Sequence, residues 1–222
     1  ATPDELVNEI YLYNAGIPSD VINSLGKAYQ MMNHYCDPIE DVTVFNGNRV
    51  LEFEHFSLQS LHLPGHSSGH AVFYWPEKRL LLSGDLVLPH ITTNPLVEYT
   101  TTPAGMKRSL SLGHMLASLQ QLAAMEIDLI LPGHGPQIKT PHDLINSRIA
   151  FYQQRLEEIY VLLKSTGPQN PYQLALVYFG ERMKGFDIIL AVNEILVNLD
   201  LLVHQGRAFE KQVNGVSVFG VG

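Results

Sequence analysis

Apolar positions recur with two different periods along this chain, and each change of period marks a new element. Near the N-terminus, "ELVNEIYLYNAG" puts Leu6, Ile10 and Tyr13 on one helical stripe, with Gly16 as a stop. Pro18 and Ser19 open a second helix in "PSDVINSLGKAYQMM". Over residues 42–63 the period shortens to that of strands, and Asn46-Gly47 predicts a hairpin turn. "AVFYW" (71–75) and "RLLLS" (79–83) are two more short apolar strands. The tight "PEK" turn between them makes them antiparallel neighbours. A helix is predicted around Met106–Met125, with Leu112, Leu116, Leu119 and Leu122 at helical spacing as its core stripe. "DLILPG" then supplies a buried strand at 128–132.

The texture changes near Pro141. "DLINSRIAFYQQRLEEIYVLLK" is a long helical pattern, and "GPQNPYQLALVYFG" holds a short helix entered through Pro171. "DIILAVNEILVNLDLLVHQG" is a third helix that stops at Gly206. "RAFEKQVNGVSVFG" reads as strand, Asn214-Gly215 turn, strand. Three helices and a small hairpin are the layout of a winged helix. The expected division is therefore into domains 1–140 and 141–222, in a chain of mixed α/β (α+β) class. The chain has no internal repeat.

Composition narrows the classes. The 222 residues suffice for one large domain or two modest ones, and 45% are apolar against 16% charged. The net charge of −8 does not attract nucleic acid to the surface as a whole. Residues 141–222 carry 7 Lys/Arg and 8 Asp/Glu, and the third helix lacks the basic stripe of a DNA-reading helix. Cys36 is the one cysteine, which excludes an intrachain disulfide and fits a reducing compartment. The acidic start has no apolar signal region and no run spans a bilayer, so the expected location is cytoplasmic, with no membrane partner.

Three residues with ligand chemistry follow three predicted strands. His66 follows 58–63, Asp85 follows 79–83 and His134 follows 128–132. If the first strand runs up, 71–75 runs down and 79–83 runs up again. The helix before 128–132 is long enough for a crossover, so that strand also runs up. All three residues then meet at one edge of the sheet. Glycines flank each of them: Gly65, Gly84, and Gly133 with Gly135. Two imidazoles and a carboxylate suit zinc, manganese or ferrous iron. The carboxylate is able to bridge two cations, which would share a hydroxide as nucleophile. Each short motif alone is more often a polar turn; their order in one layout carries the weight.

The remaining candidates rank lower. His70 starts the downward strand and is expected to orient a ligand rather than bind. Ser83, beside Asp85, and His90, in the loop just past it, are expected to line the site or support it. A surface role for His90 is an equal alternative. His62 reads as a strand residue with a local hydrogen bond. His34, His55, His114, His142 and His204 read as structural or solvated, and Ser67 and Ser68 as turn residues. No catalytic group stands out beyond the metal ligands, and no nucleic-acid-binding residue does.

"LHLPGHSSGH", "LLLSGD" and "LILPGHG" resemble, in order, the third, fourth and fifth motifs of the metallo-β-lactamase superfamily. The resemblance implies an αββα sandwich with a di-metal site at one sheet edge. It implies His66 as a ligand of the first metal, Asp85 as the bridging ligand and His134 as a ligand of the second. The helices and hairpin after residue 140, with "GDLVLPHITTNP", resemble the branch holding glyoxalase-II-like hydrolases and a ribonuclease-type subgroup. One departure is large. The family's His-x-His-x-Asp-His precedes its third motif, and nothing before His66 matches it. The chain therefore reads as the C-terminal half of the sandwich plus a winged-helix-like domain. It is a fragment of a longer enzyme or, alternatively, a natural degenerate member. Zinc is the expected ion, with iron or manganese as alternatives. Two ions belong to a complete parent site, and zero or one is expected here. The uncovered sheet face is expected to meet the missing N-terminal half or a second copy of the chain.

The leading expectation is a parent hydrolase that turns a metal-bound hydroxide on an ester or thioester of a small molecule, the fragment itself being inactive. The alternatives are an RNA or phosphodiester nuclease of the same fold, and a non-enzymatic interaction module.

Overall fold

The computed structural model describes residues 11–24, 41, 44, 47–103 and 105–222. The chain forms two compact units. One spans residues 44–155, and the other joins 156–222 to the described part of residues 1–43.

The first unit is built on a five-stranded sheet. Its strands are β1 (Arg49–Glu52), β2 (Ser57–His62), β3 (Ala71–Trp75), β4 (Leu80–Gly84) and β7 (Leu129–Pro132), in the spatial order β1-β2-β3-β4-β7. β2, β3 and β4 alternate in direction, and β7 lies parallel to β4. That is the topology expected from the crossover argument, so β2, β4 and β7 all end at the same edge. The crossover passes through helix α1 (Ser111–Ala123), whose Leu112, Met115, Leu119 and Leu122 are buried. Val72, Leu81 and Ile130 are fully buried on the sheet. Burial of such side chains contributes roughly 25 cal/mol per Å² of apolar surface removed from water.

One turn was not read from the sequence, and one segment differs from its reading. The hairpin between β1 and β2 turns at Phe53–Phe56, where the Phe53 amide donates to the Phe56 carbonyl at 2.9 Å. The rings of Phe53 and Phe56 stack at 4.7 Å. Gly47, at φ 76, precedes β1, and Asn46 lies outside the described residues. The segment before α1 is not helical. β5 (Tyr99–Thr102) pairs with β6 (Gly105–Arg108) as a separate hairpin, so the helix starts at Ser111 rather than near Met106. The threonines before the turn favour extended backbone.

The elements of residues 141–222 follow the expected order. They are α2 (Pro141–Thr166), α3 (Pro171–Phe179), α4 (Asp187–His204) and the hairpin of β8 (Phe209–Val213) and β9 (Val216–Gly220). Asn170 and Gln173 form a reciprocal capping box at the start of α3. Asn214 (φ 51) and Gly215 (φ 82) make the tight hairpin turn with both residues left-handed. α4 buries Ala191–Asn193 and Ile195–Leu199 without a break in each run, so it is the core helix of its unit.

The division between units does not fall at residue 140. α2 is continuous across residues 155 and 156 and contributes to both units. The described N-terminal residues also join the C-terminal unit. The Tyr172 amide donates to the Ala15 carbonyl at 3.0 Å, and Gly16 lies against the Asn170 side chain. Residues 11–14 and 19–24 are helical, as expected. The buried side is formed by Tyr11, Leu12 and Ala15, while Tyr13 is exposed. Leu6, Ile10, His34 and Cys36 lie outside the described residues. Among the described residues no helix is long and apolar enough to cross a membrane.

Candidate metal centre

The loop from β2 to β3 carries His66. Gly65 adopts φ 144 and lies so close to α1 that a Cβ there would stand 2.5 Å from Met115 Cα. Ser118 of α1 donates to the Pro64 carbonyl at 2.7 Å. The His62 ring donates through Nε2 to the Ser68 carbonyl at 2.7 Å, a local role as the sequence suggested. The loop is thereby fixed on both sides.

Asp85 follows β4 through a register shift between Leu82 and Gly84. The extra residue there turns the chain so that the carboxylate leaves the strand direction. Buried Ser83 donates to the Val87 carbonyl at 3.0 Å, which closes this turn without touching the Asp85 side chain. The Gly133 amide donates to the Gly84 carbonyl at 2.8 Å, tying the His134 turn to the Asp85 turn. His90 is exposed, and its ring edge lies near Gly135 in the loop after His134.

The three predicted ligands come together as two pairs that share Asp85. His66 Nε2 lies 3.9 Å from Asp85 Oδ2. His134 Nε2 lies 3.5 Å from Asp85 Oδ1. His66 Nδ1 stands 3.2 Å from the Asn94 carbonyl. A carbonyl only accepts, so Nδ1 carries a proton, and in the neutral ring Nε2 then presents its lone pair toward the carboxylate. In that form two acceptors face each other, an arrangement that a cation between them would satisfy. Donors on one tetrahedral ion with bonds near 2.1 Å stand roughly 3.4 Å apart. The observed spacings are close to that value, and each imidazole addresses a different oxygen. In kind and orientation the residues fit a carboxylate bridging two cations. In number they fall short, since each position has one imidazole and one oxygen. Among the described residues no three His, Cys, Asp or Glu side chains converge as a closed shell. His134 is 75% exposed, so its position is open to further donors.

His70 sits behind this group. Its ring meets His66 edge-on with centroids 6.0 Å apart, and its Nε2 lies beside Gly84. Burial pushes its pKa below the ordinary histidine value, the His66 ring adds to this, and Asp85 opposes it. The ring packs against both the His66 and the Asp85 turns. Residues that the sequence reading missed lie in the loop after Asp85. Thr93 donates to the Asp85 carbonyl, Asn94 accepts from His66, and the Leu96 amide donates to the His66 carbonyl at 3.2 Å. Backbone acceptors leave no mark in sequence.

Comparison with known proteins gives the family. Residues 5–134 match the model of the metallo-beta-lactamase superfamily. The chain belongs to that superfamily. Members generally bind divalent metals, usually zinc. The probable metallo-hydrolase YqjP of Bacillus subtilis is 29% identical over 142 residues, covering 64% of this chain and 43% of the relative. The atrochrysone carboxyl ACP thioesterase AgnL7 of Paecilomyces divaricatus is 33% identical over 131 residues, covering 59% of this chain and 35% of that protein. The chain thus spans less than half the length of these curated relatives. Among solved structures, the metallo-beta-lactamase family protein TTHA1429 from Thermus thermophilus superposes with a TM-score of 0.79 at 23% identity. That match covers 100% of this chain and 66% of the other. A beta-lactamase domain protein from Burkholderia ambifaria gives 0.72 at 24% identity, covering 83% and 53%. Both show the same fold.

Proposed function

We propose that this chain is the part of a metal-dependent hydrolase that supplies one side of a two-metal centre, and that the whole protein cleaves ester or thioester bonds of small molecules. The observation that carries this reading is the pairing of His66 and His134 with different oxygens of one carboxylate. His66 and Asp85 would hold one ion, and Asp85 and His134 the other. The ions, when bound, supply Lewis acidity and lower the pKa of water. The chain's own residues orient the donors. Asn94 fixes the His66 tautomer, and the Gly133–Gly84 hydrogen bond keeps the two oxygens of Asp85 between the imidazoles.

The remaining donors would come from residues outside this set, which makes the 222-residue chain a weak metal binder by itself. Several relatives carry thioesterase names, which supports an acyl-sulfur bond as substrate. The net charge of −8 favours a small molecule over RNA. The C-terminal helices and hairpin are read as winged-helix-like, with a core helix that packs rather than reads a groove.

The test uses the whole protein loaded with Zn²⁺ and assayed in parallel on an acyl thioester and a single-stranded RNA. Thioester turnover that disappears in Asp85→Asn supports the proposal. RNA cleavage without thioester turnover overturns the substrate class. Absence of bound metal after Zn²⁺ or Mn²⁺ exposure overturns the catalytic reading and favours an interaction module.

A further inference from the structure

The loop after β4 is anchored twice. At its near side it holds the two candidate ligands, through Thr93 on the Asp85 carbonyl and through Asn94 and Leu96 on His66. At its far side it is held by two side chains of α2, one helical turn apart. Arg148 Nη2 donates to the carbonyls of Leu88 (3.1 Å) and Pro89 (3.3 Å), and Nη1 donates to Thr92 Oγ1 (3.3 Å). The buried Tyr152 hydroxyl donates to the Thr93 carbonyl. The i, i+4 spacing puts both donors on one helix face.

We infer that Arg148 and Tyr152 are positioning residues, a clamp on loop 85–96 that orients Asp85 and selects the His66 tautomer. The physical chain is short. Tyr152 fixes the Thr93 peptide, and Thr93 caps the Asp85 carbonyl. The next residue, Asn94, offers the carbonyl that keeps the proton on His66 Nδ1. Arg148 holds Leu88, Pro89 and Thr92 of the strap through a charged fork, whose bonds are stronger than neutral ones. Without the clamp, the Asn94 carbonyl loses its fixed distance to His66. The ring is then free to take the Nε2–H form, which directs a proton instead of a lone pair at Asp85. Thr93 and Tyr152 are both buried, so water does not replace these bonds cheaply.

The inference takes the His66 and Asp85 roles from the reading above, but the geometry it asserts does not depend on any ion or reaction. Its test is correspondingly independent. Long-range proton–nitrogen correlation spectra of the 222-residue chain report imidazole tautomers directly, at a pH where histidines are neutral. The His66 signals are assigned with His66→Gln. The expected result is the Nδ1–H form for the unaltered chain, and a mixture with Nε2–H in Tyr152→Phe and Arg148→Ala, with Arg148→Lys closer to the unaltered chain. Thr93→Val, which cuts the strap from Asp85 without touching α2, provides a second route if Arg148→Ala does not fold. It is expected to disturb His66 in the same direction. A His66 ring that keeps the Nδ1–H form in every folded variant overturns the clamp, as does an unaltered chain already in the Nε2–H form. In the whole protein, Tyr152→Phe is expected to weaken Zn²⁺ binding by about 10–100-fold. A protein that binds Zn²⁺ but hydrolyses no ester or thioester would sink the proposed function and leave the clamp standing on its spectra.

Discussion

A Cβ placed on Gly133 would lie 2.5 Å from Oδ1 of Asp85 and 3.2 Å from the Gly84 carbonyl carbon. The carboxylate that faces both histidines thus occupies the space a side chain would fill. Gly133→Ala is expected to rotate Asp85 away from His134 while leaving the sheet intact, because the carboxylate is the group free to move. Zn²⁺ affinity of the whole protein should fall by roughly 10–100-fold, read by competition with a chromophoric chelator, with an unchanged far-ultraviolet spectrum. An alanine variant with undiminished affinity would show that Asp85 Oδ1 needs no such fixed place.

Gly65 makes the opposite case. Its missing side chain faces the backbone of Met115, which has nowhere to go, and its φ of 144 is poorly tolerated by other residues. Gly65→Ala is expected to cost about 3 kcal/mol or more of stability, from strain and overpacking together. Urea denaturation measures it, and a loss under about 1 kcal/mol would mean that α1 gives way.

Arg207 grips Glu157 with two hydrogen bonds of 2.6 and 2.7 Å and lies 4.2 Å over the Tyr160 ring. The bonds to Arg207 hold the Glu157 carboxyl below its ordinary pKa. Its contribution to stability is therefore present above the ordinary glutamate range. It is lost as pH falls through the lowered value, where the folded state also takes up the proton. The stability gap between the unaltered chain and Glu157→Gln should shrink to nothing in acid. Because the pair is partly exposed, the gap at neutral pH should also shrink in high salt. Thermal melts across pH and salt check both, and a gap that persists in acid would assign it to packing instead.

The β8–β9 turn depends on two left-handed residues, Asn214 and Gly215. Gly215→Ala puts a Cβ at φ 82 and is expected to cost about 1 kcal/mol. The site in the other unit should be unaffected, which a parallel measurement of Zn²⁺ affinity in the whole protein would check.

The elements were readable where local chemistry decides them. β3, β4 and β7 followed their apolar runs, Asn170 and Pro171 opened α3, and Asn214-Gly215 turned the last hairpin. Strand directions then placed His66, Asp85 and His134 at one edge, because antiparallel neighbours and one crossover leave little choice. Met106–Arg108 pairs as strand where the sequence reading had begun a helix. There a partner segment, β5, decided the outcome, and a partner is not visible in a local pattern.

The sequence by itself determined the candidate ligand residues, their order and the family. Those properties reside in side-chain identity and in short runs whose backbone preferences are local. Only the tertiary structure decided that His66 and His134 address different oxygens of Asp85, and that the loop after Asp85 is hydrogen-bonded to Arg148 and Tyr152. It also decided that residues 11–24 pack with the C-terminal helices. Those are relations between segments as much as 157 positions apart (172 − 15), made through backbone carbonyls and absent side chains. Every residue has a carbonyl, and a glycine's empty space has meaning only when the neighbour that fills it is in place.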